Sequence, residues 1–252
     1  MNEALDLNED QILNKISTGT DINIFSDVDY VIEAVYEDLE LKRGLLSAIS
    51  SIVSDHTILA SNTSSFMPSQ FDFLMAKPDQ LIVANWWNPP YLIPLVEVVP
   101  GPNTSNFSIE VTKEFLSKIH KKSVVLNKES VGFIGNRLQF ALLREAISLV
   151  EKGIASPEDI DEVVKSGFGR RLAIAGPFQV FDLAGWDTIS TIMKELFPVL
   201  ENTSKVSDVV NKKIIDGHLG VKSSKGFYSW DKDIIEKFRK GIVQKLSDID
   251  QL

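Results

Sequence analysis

Asp29-Tyr30-Val31-Ile32-Glu33-Ala34-Val35-Tyr36-Glu37-Asp38 opens on an apolar, β-branched run and closes on acids, and a helical periodicity starts directly behind it. Residues 29–35 read as a buried strand. The stretch from about Asp38 to Ser54, with Leu39, Leu45, Leu46, Ile49, Ile52 and Val53 on one side, reads as the helix that follows. The pattern then repeats. Thr57-Ile58-Leu59-Ala60-Ser61-Asn62 is a second strand ending in polar residues. Leu81 to Trp87 is a third, stopped by Asn88-Pro89-Pro90, and Leu95 to Val99 is a fourth, ended by Pro100-Gly101-Pro102. A helix over Ser105–Ile119 and a strand over Ser123–Leu126 complete the unit. Strands alternating with helices predict an α/β fold with a mainly parallel sheet, and such sheets bind ligands just beyond the strand C-termini.

Beyond residue 130 the apolar periodicities are almost all helical. A helix from about Val131 or Ile134 to Lys152 carries more apolar surface than a lone surface helix needs. Ser156-Pro157-Glu158-Asp159 then reads as an N-cap, a proline at the first helical position and acids in the first turn, starting a helix to about Ser166. Gly176-Pro177 is a break, and further helices are expected at about 178–199, 203–216 and 232–247. The domains expected are therefore residues 1–127 and 128–252.

Composition narrows the function. With 252 residues and 44% apolar content the chain can bury a substantial core. Its 35 acidic and 26 basic side chains give a net charge of -9, which disfavours non-specific binding to nucleic acid. The absence of cysteine excludes disulfides, thiolate metal sites and cysteine nucleophiles. His56, His120 and His218 lie too far apart for a helical metal motif, so no metal is expected. The acidic N-terminus lacks the features of a signal peptide, and no stretch has the ~18 apolar residues of a membrane span, so a cytoplasmic protein without membrane or nucleic-acid partners is expected.

Four segments, in order, resemble the 3-hydroxyacyl-CoA dehydrogenase family: Val31-Ile32-Glu33-Ala34-Val35-Tyr36-Glu37-Asp38; Ala60-Ser61-Asn62-Thr63-Ser64-Ser65; Asn85-Trp86-Trp87-Asn88-Pro89 leading to Pro94-Leu95-Val96-Glu97-Val98; and Gly132-Phe133-Ile134-Gly135-Asn136-Arg137. Gly176-Pro177-Phe178 and Lys225-Gly226-Phe227-Tyr228 fall where that family has further turns. Asn88-Pro89-Pro90-Tyr91 resembles the branch of carnitine and gulonate dehydrogenases and lambda-crystallin. The resemblance implies a partial Rossmann-type sheet over 1–127 and an all-α C-terminal domain of the 6-phosphogluconate-dehydrogenase-like type over 128–252. It also implies NAD as cofactor, a 3-hydroxy acid or its acyl-CoA thioester as substrate, and a homodimer.

Oxidising a secondary alcohol needs a base for the hydroxyl proton, an acceptor in line for the hydride, and hydrogen bonds that place the carbon between them. By resemblance Ser64 and Asn136 bind the substrate oxygen, Glu97 orients and charge-supports the base at position 85, and Glu37, Lys42, Asn62 and Ser64 line the nicotinamide end of the cofactor. Each has a plainer structural reading. Ser64 can end a strand, Asn136 can cap a helix, Glu97 can be a solvated strand residue, and Glu37 with Lys42 can be a surface pair. Lys42, Arg43, Arg137, Arg170 and Arg171 are the cations at hand for CoA phosphates.

The chain departs from the family twice. The family's catalytic histidine stands where this sequence has Asn85, and an amide takes no proton near neutral pH. Loss of such a base typically costs roughly two to four orders of magnitude in rate. Nor is there any GxGxxG, the glycine-rich turn that opens a dinucleotide-binding domain; Gly167-Phe168-Gly169 follows a helix and reads as its exit. Aligned with the family, the chain lacks the initial strand, helix, strand and following helix, which fits a short form of a longer product, a deliberate truncation or a degenerate relative. NAD binding is expected to be weak or absent, and the 29–35 strand is expected to present a bare edge, covered by rearranged N-terminal residues or a second copy.

Overall fold

A computed structural model describes residues 8–249. The chain divides into two compact units, one running to Trp87 and resuming over Pro94–Phe133, the other made of Asn88–Ile93 and everything from Ile134.

In the first unit, α1 (Glu9–Leu13) begins with a reciprocal cap between Asn8 and Gln11. A 3-10 turn over Ile22–Asp27, capped by Asp21, lays Ile22 and Phe25 against the core. Then come β1 (Tyr30–Glu33), α2 (Leu39–Ser50, N-capped by the Asp38 side chain), β2 (Ile58–Ser61), β3 (Leu81–Trp86), β4 (Leu95–Pro100), α3 (Asn106–Lys118, capped by Ser105) and β5 (Lys122–Val125). The strands lie in the order β1-β2-β3-β4-β5, with β3 and β4 antiparallel and every other pair parallel.

Because successive side chains leave opposite faces of a strand, two cores form. Leu59, Leu81, Val83 and Val99 meet Leu46 and Ile49 of α2 in one, and Ile58, Ala60, Ile82, Ala84, Val96 and Val98 meet Leu116 of α3 in the other. β2 is buried throughout and β3 nearly so, the double-sided burial that an unbroken apolar run implies. Each buried Leu, Ile or Val contributes about 1.5–3 kcal/mol.

The expected strand over 29–35 stops at Glu33. The backbone of Val35 turns aside, its N–H donating to Glu33 Oε1 at 2.8 Å and its carbonyl accepting from Lys42 Nζ at 3.3 Å. β1 pairs with β2 alone, no strand lies on its other side among the described residues, and Ile32 is 43% exposed. The N-terminal 3-10 turn packs on the core rather than covering that edge with a strand.

The second unit is helical: α4 (Gly135–Glu151), α5 (Pro157–Ser166, capped by Ser156), α6 (Phe168–Leu172), α7 (Pro177–Ala184), α8 (Trp186–Leu196), α9 (Asp208–Ile215) and α10 (Lys232–Ile249). Gly167 closes α5 as the exit expected, and the short α6 starts directly after it. The single helix expected over 178–199 is two, broken at Gly185, whose φ of +85 suits only glycine and where a Cβ would come within 2.9 Å of Asp187 Oδ1. Helix α9 begins at Asp208 rather than 203. Among the described residues of this unit only Ser148 and Ile189 are buried, while Leu138, Phe140, Leu142 and Leu143 of α4 stand exposed.

Candidate functional site

Two buried polar clusters sit at the sheet. The first is built by the turn from β1 into α2. Lys42, in the first turns of α2, is 1% exposed and runs back under the loop so that its Nζ meets Glu33 Oε1 at 2.7 Å and Glu37 Oε2 at 3.2 Å. Ser61 of β2 donates to the other oxygen of Glu33 at 2.5 Å. Glu37 binds the loop after β2: Thr63 donates to its Oε1 at 2.5 Å, and the backbone N–H groups of Ser64 and Ser65 donate at 3.2 and 3.1 Å. Burial pushes the Glu37 carboxyl up, but the bonds from Thr63, Lys42 and Ser65 and the Lys42 charge outweigh it, leaving the group below the ordinary glutamate range. Lys42 and Glu37 are therefore no surface pair, and the ammonium is committed inside the protein. Arg43 is committed too, to Glu40 at 2.5 Å and the Gln70 carbonyl at 2.7 Å, so these two of the candidate cations are engaged within the protein rather than offered to a CoA phosphate.

The second cluster spans β3 and β4. Their antiparallel register sets Asn85 directly across from Glu97, and Asn85 Nδ2 donates to Glu97 Oε2 at 3.1 Å. Trp87 Nε1 donates to the same oxygen at 3.2 Å. Glu97 is 1% exposed and Asn85 5%, so Glu97 is a buried hydrogen-bonded carboxylate and no solvated strand residue. Asn62, just past β2, ties the clusters' strands together by accepting from the Trp86 N–H at 2.9 Å.

Ser64 lies exposed on the loop beyond β2, its N–H held by Glu37. Asn136 is the second residue of α4 and does not cap it, since the N-cap is Ile134 with no side-chain cap bond. Glu37, Asn62, Ser64, Asn85 and Glu97 thus fall in or beyond the ends of strands of one sheet, Lys42 lies in α2, and Asn136 belongs to the helical unit. Glu33, Ser61, Thr63 and Trp87 were not among the sequence candidates. The signal for Glu33 was available: an acid alternating with Val31 in a strand points inward and must find a cation.

A dinucleotide asks for a glycine-rich strand-to-helix turn to hold its pyrophosphate. Among the described residues there is none, and the approach to β1 is a 3-10 turn. The residues present therefore do not fit the pyrophosphate; Glu37 and Ser64 offer polar groups only beyond the ends of β1 and β2. No three His, Cys, Asp or Glu side chains among the described residues converge on a metal position, and no described helix is long and apolar enough to cross a membrane.

Residues 2–130 match the family described as 3-hydroxyacyl-CoA dehydrogenase, NAD binding domain, and residues 132–230 match its C-terminal domain. A 5-formyl-3-hydroxy-2-methylpyridine 4-carboxylate 5-dehydrogenase of Mesorhizobium japonicum is 32% identical over 88% of this chain and 72% of its own length. Lambda-crystallin of Oryctolagus cuniculus is 41% identical over 70% of this chain, which spans about half of that protein, 56%. A crystal structure of a 5-dehydrogenase acting on the same pyridine acid, described as an NAD+ dependent dismutase, superposes with a TM-score of 0.89 at 31% identity over 92% of this chain and 76% of that one.

Proposed function

The chain belongs to the 3-hydroxyacyl-CoA dehydrogenase family, NAD-dependent oxidoreductases acting on CH–OH groups, and from that premise we propose that it takes a 3-hydroxy acid or its CoA thioester and interconverts the 3-hydroxyl and 3-keto groups only slowly. In this reading Ser64 and Asn136 hold the substrate oxygen. Glu97 anchors the residue at position 85, Glu37, Asn62 and Ser64 line the nicotinamide end, and the buried Lys42 holds Glu37 from beneath. The Asn85–Glu97 pair carries the proposal: the position across from the buried carboxylate holds an amide that cannot take the hydroxyl proton. A missing base costs roughly 10²–10⁴ in rate.

A second reading, a catalytically silent binding or structural protein, draws on the same Asn85 and on the likeness to a lambda-crystallin. Mixing the protein with NADH and acetoacetyl-CoA and following absorbance separates the two. Slow turnover above background supports the first reading, none supports the second, and robust turnover refutes both. Asn85→His alone is expected not to restore activity, because nothing described here grips the pyrophosphate.

The same reading makes the chain a cytoplasmic homodimer without nucleic-acid or membrane partners. Its support is the helical unit, which buries almost none of its own apolar side chains and needs a partner surface for α4.

A further inference from the structure

We propose that the site selects the alcohol form of its ligand over the carbonyl form, because Asn85 is locked as a hydrogen-bond acceptor. This rests on the reading of the site given above and adds the polarity of the ligand that it takes. The indole N–H of Trp87 can only donate, so the Glu97 oxygen that it meets at 3.2 Å is accepting. Asn85 reaches that same oxygen at 3.1 Å. Turning the amide over would set two acceptors against each other in a buried pair with no proton between them, so the NH₂ group faces Glu97 and Oδ1 faces away. The antiparallel register of β3 and β4 holds both residues in place, and their burial keeps solvent from competing for the Nδ2 bond. Among the described residues no hydrogen bond engages Oδ1.

A ligand oxygen that meets Oδ1 must bring a proton. A secondary alcohol brings one; a ketone brings only lone pairs, and two acceptors repel. An imidazole in the same place, donating from one ring nitrogen to Glu97 and protonated on the other, would invert the preference by donating to a carbonyl. Replacing the base by asparagine therefore does more than slow the chemistry: it fixes which side of the alcohol–ketone couple the protein retains. A site built to pair with a hydroxyl discriminates sharply against the analogue that lacks it.

The test is calorimetry of the full chain at pH 7 with two probe pairs, 3-hydroxybutyryl-CoA against acetoacetyl-CoA and 3-hydroxybutyrate against acetoacetate. The hydroxy member of at least one pair is expected to bind about tenfold tighter, the ratio that one hydrogen bond produces. Asn85→Leu, similar in size and without the acceptor, should reduce the ratio to near one, and Asn85→His should favour the keto member at pH 5.5. Equal affinities in the unmodified chain, or tighter keto binding, overturn the inference and leave the functional reading standing. Failure of all four ligands to bind overturns both. An Asn85→Leu chain that keeps the tenfold ratio overturns the role of Oδ1.

Discussion

Lys42 is the one cation against two carboxylates, and Lys42→Met should be among the most damaging single changes in the α/β unit. Its Nζ bonds Glu33 at 2.7 Å, Glu37 at 3.2 Å and the Val35 carbonyl at 3.3 Å. Glu33 dominates, because its side chain is fully buried and left with only Ser61 and the Val35 N–H once the ammonium is gone. Removing one partner of such a buried pair costs about 3–5 kcal/mol. Glu37 adds little, since its side chain is 37% exposed and pairs of that kind contribute about 0–1 kcal/mol. At an m-value of about 1–3 kcal/mol per molar urea, the midpoint of the transition followed by circular dichroism should fall by roughly 1–5 M. Adding Glu33→Gln should recover a large part of the loss, because what destabilises the single variant is the uncompensated charge. A cost below about 1 kcal/mol, or a double variant no more stable than the single, would refute the assignment of Lys42–Glu33 as a buried ion pair.

Three further expectations are open to measurement. Glu37 has its folded-state pKa lowered, so its contribution is present above the ordinary glutamate range and is lost as pH falls through the lowered value; Glu37→Gln should flatten that acid limb in urea titrations at pH 3–6, and an unchanged limb counts against it. Calorimetry should find NAD binding weak or undetectable in this chain, and micromolar affinity would contradict the missing pyrophosphate grip. Light scattering at micromolar concentration should give a dimer that Phe140→Glu dissociates; a clean monomer with β1 protected from hydrogen exchange would mean that the chain covers its own surfaces.

The sheet was legible because β2 and β3 are buried on both faces, which leaves unbroken apolar runs of strand length bounded by polar and turn residues, too short for a buried helix. The antiparallel turn at β4 was not, since a buried strand has the same composition in either direction. In the helical unit the short helix behind Gly167 and the break at Gly185 escaped notice: a glycine inside an apolar period is tolerated in a helix, and only the backbone angles reveal an interruption. At the site, Asn85 and Glu97 were found by their place in the family pattern, while the bond between them depends on cross-strand register. Ser61 and Thr63 were passed over because a hydroxyl looks alike in sequence whether it faces water or a carboxylate at the neighbouring strand.

The order of the sheet bears on how the unit comes into being. Every strand pairs only with strands next to it in the chain, so no pairing waits on a distant segment. Sheets whose contacts span short stretches of chain close small loops and fold fast relative to those stitched from far-apart pieces. During synthesis β1 can dock to β2 as soon as α2 and β2 have left the ribosome, and each later strand then finds its template in place. Assembly in this direction leaves a growing apolar edge for only as long as the next strand takes to be made, and it ends at β5, which precedes every helix of the second unit from α4 onward.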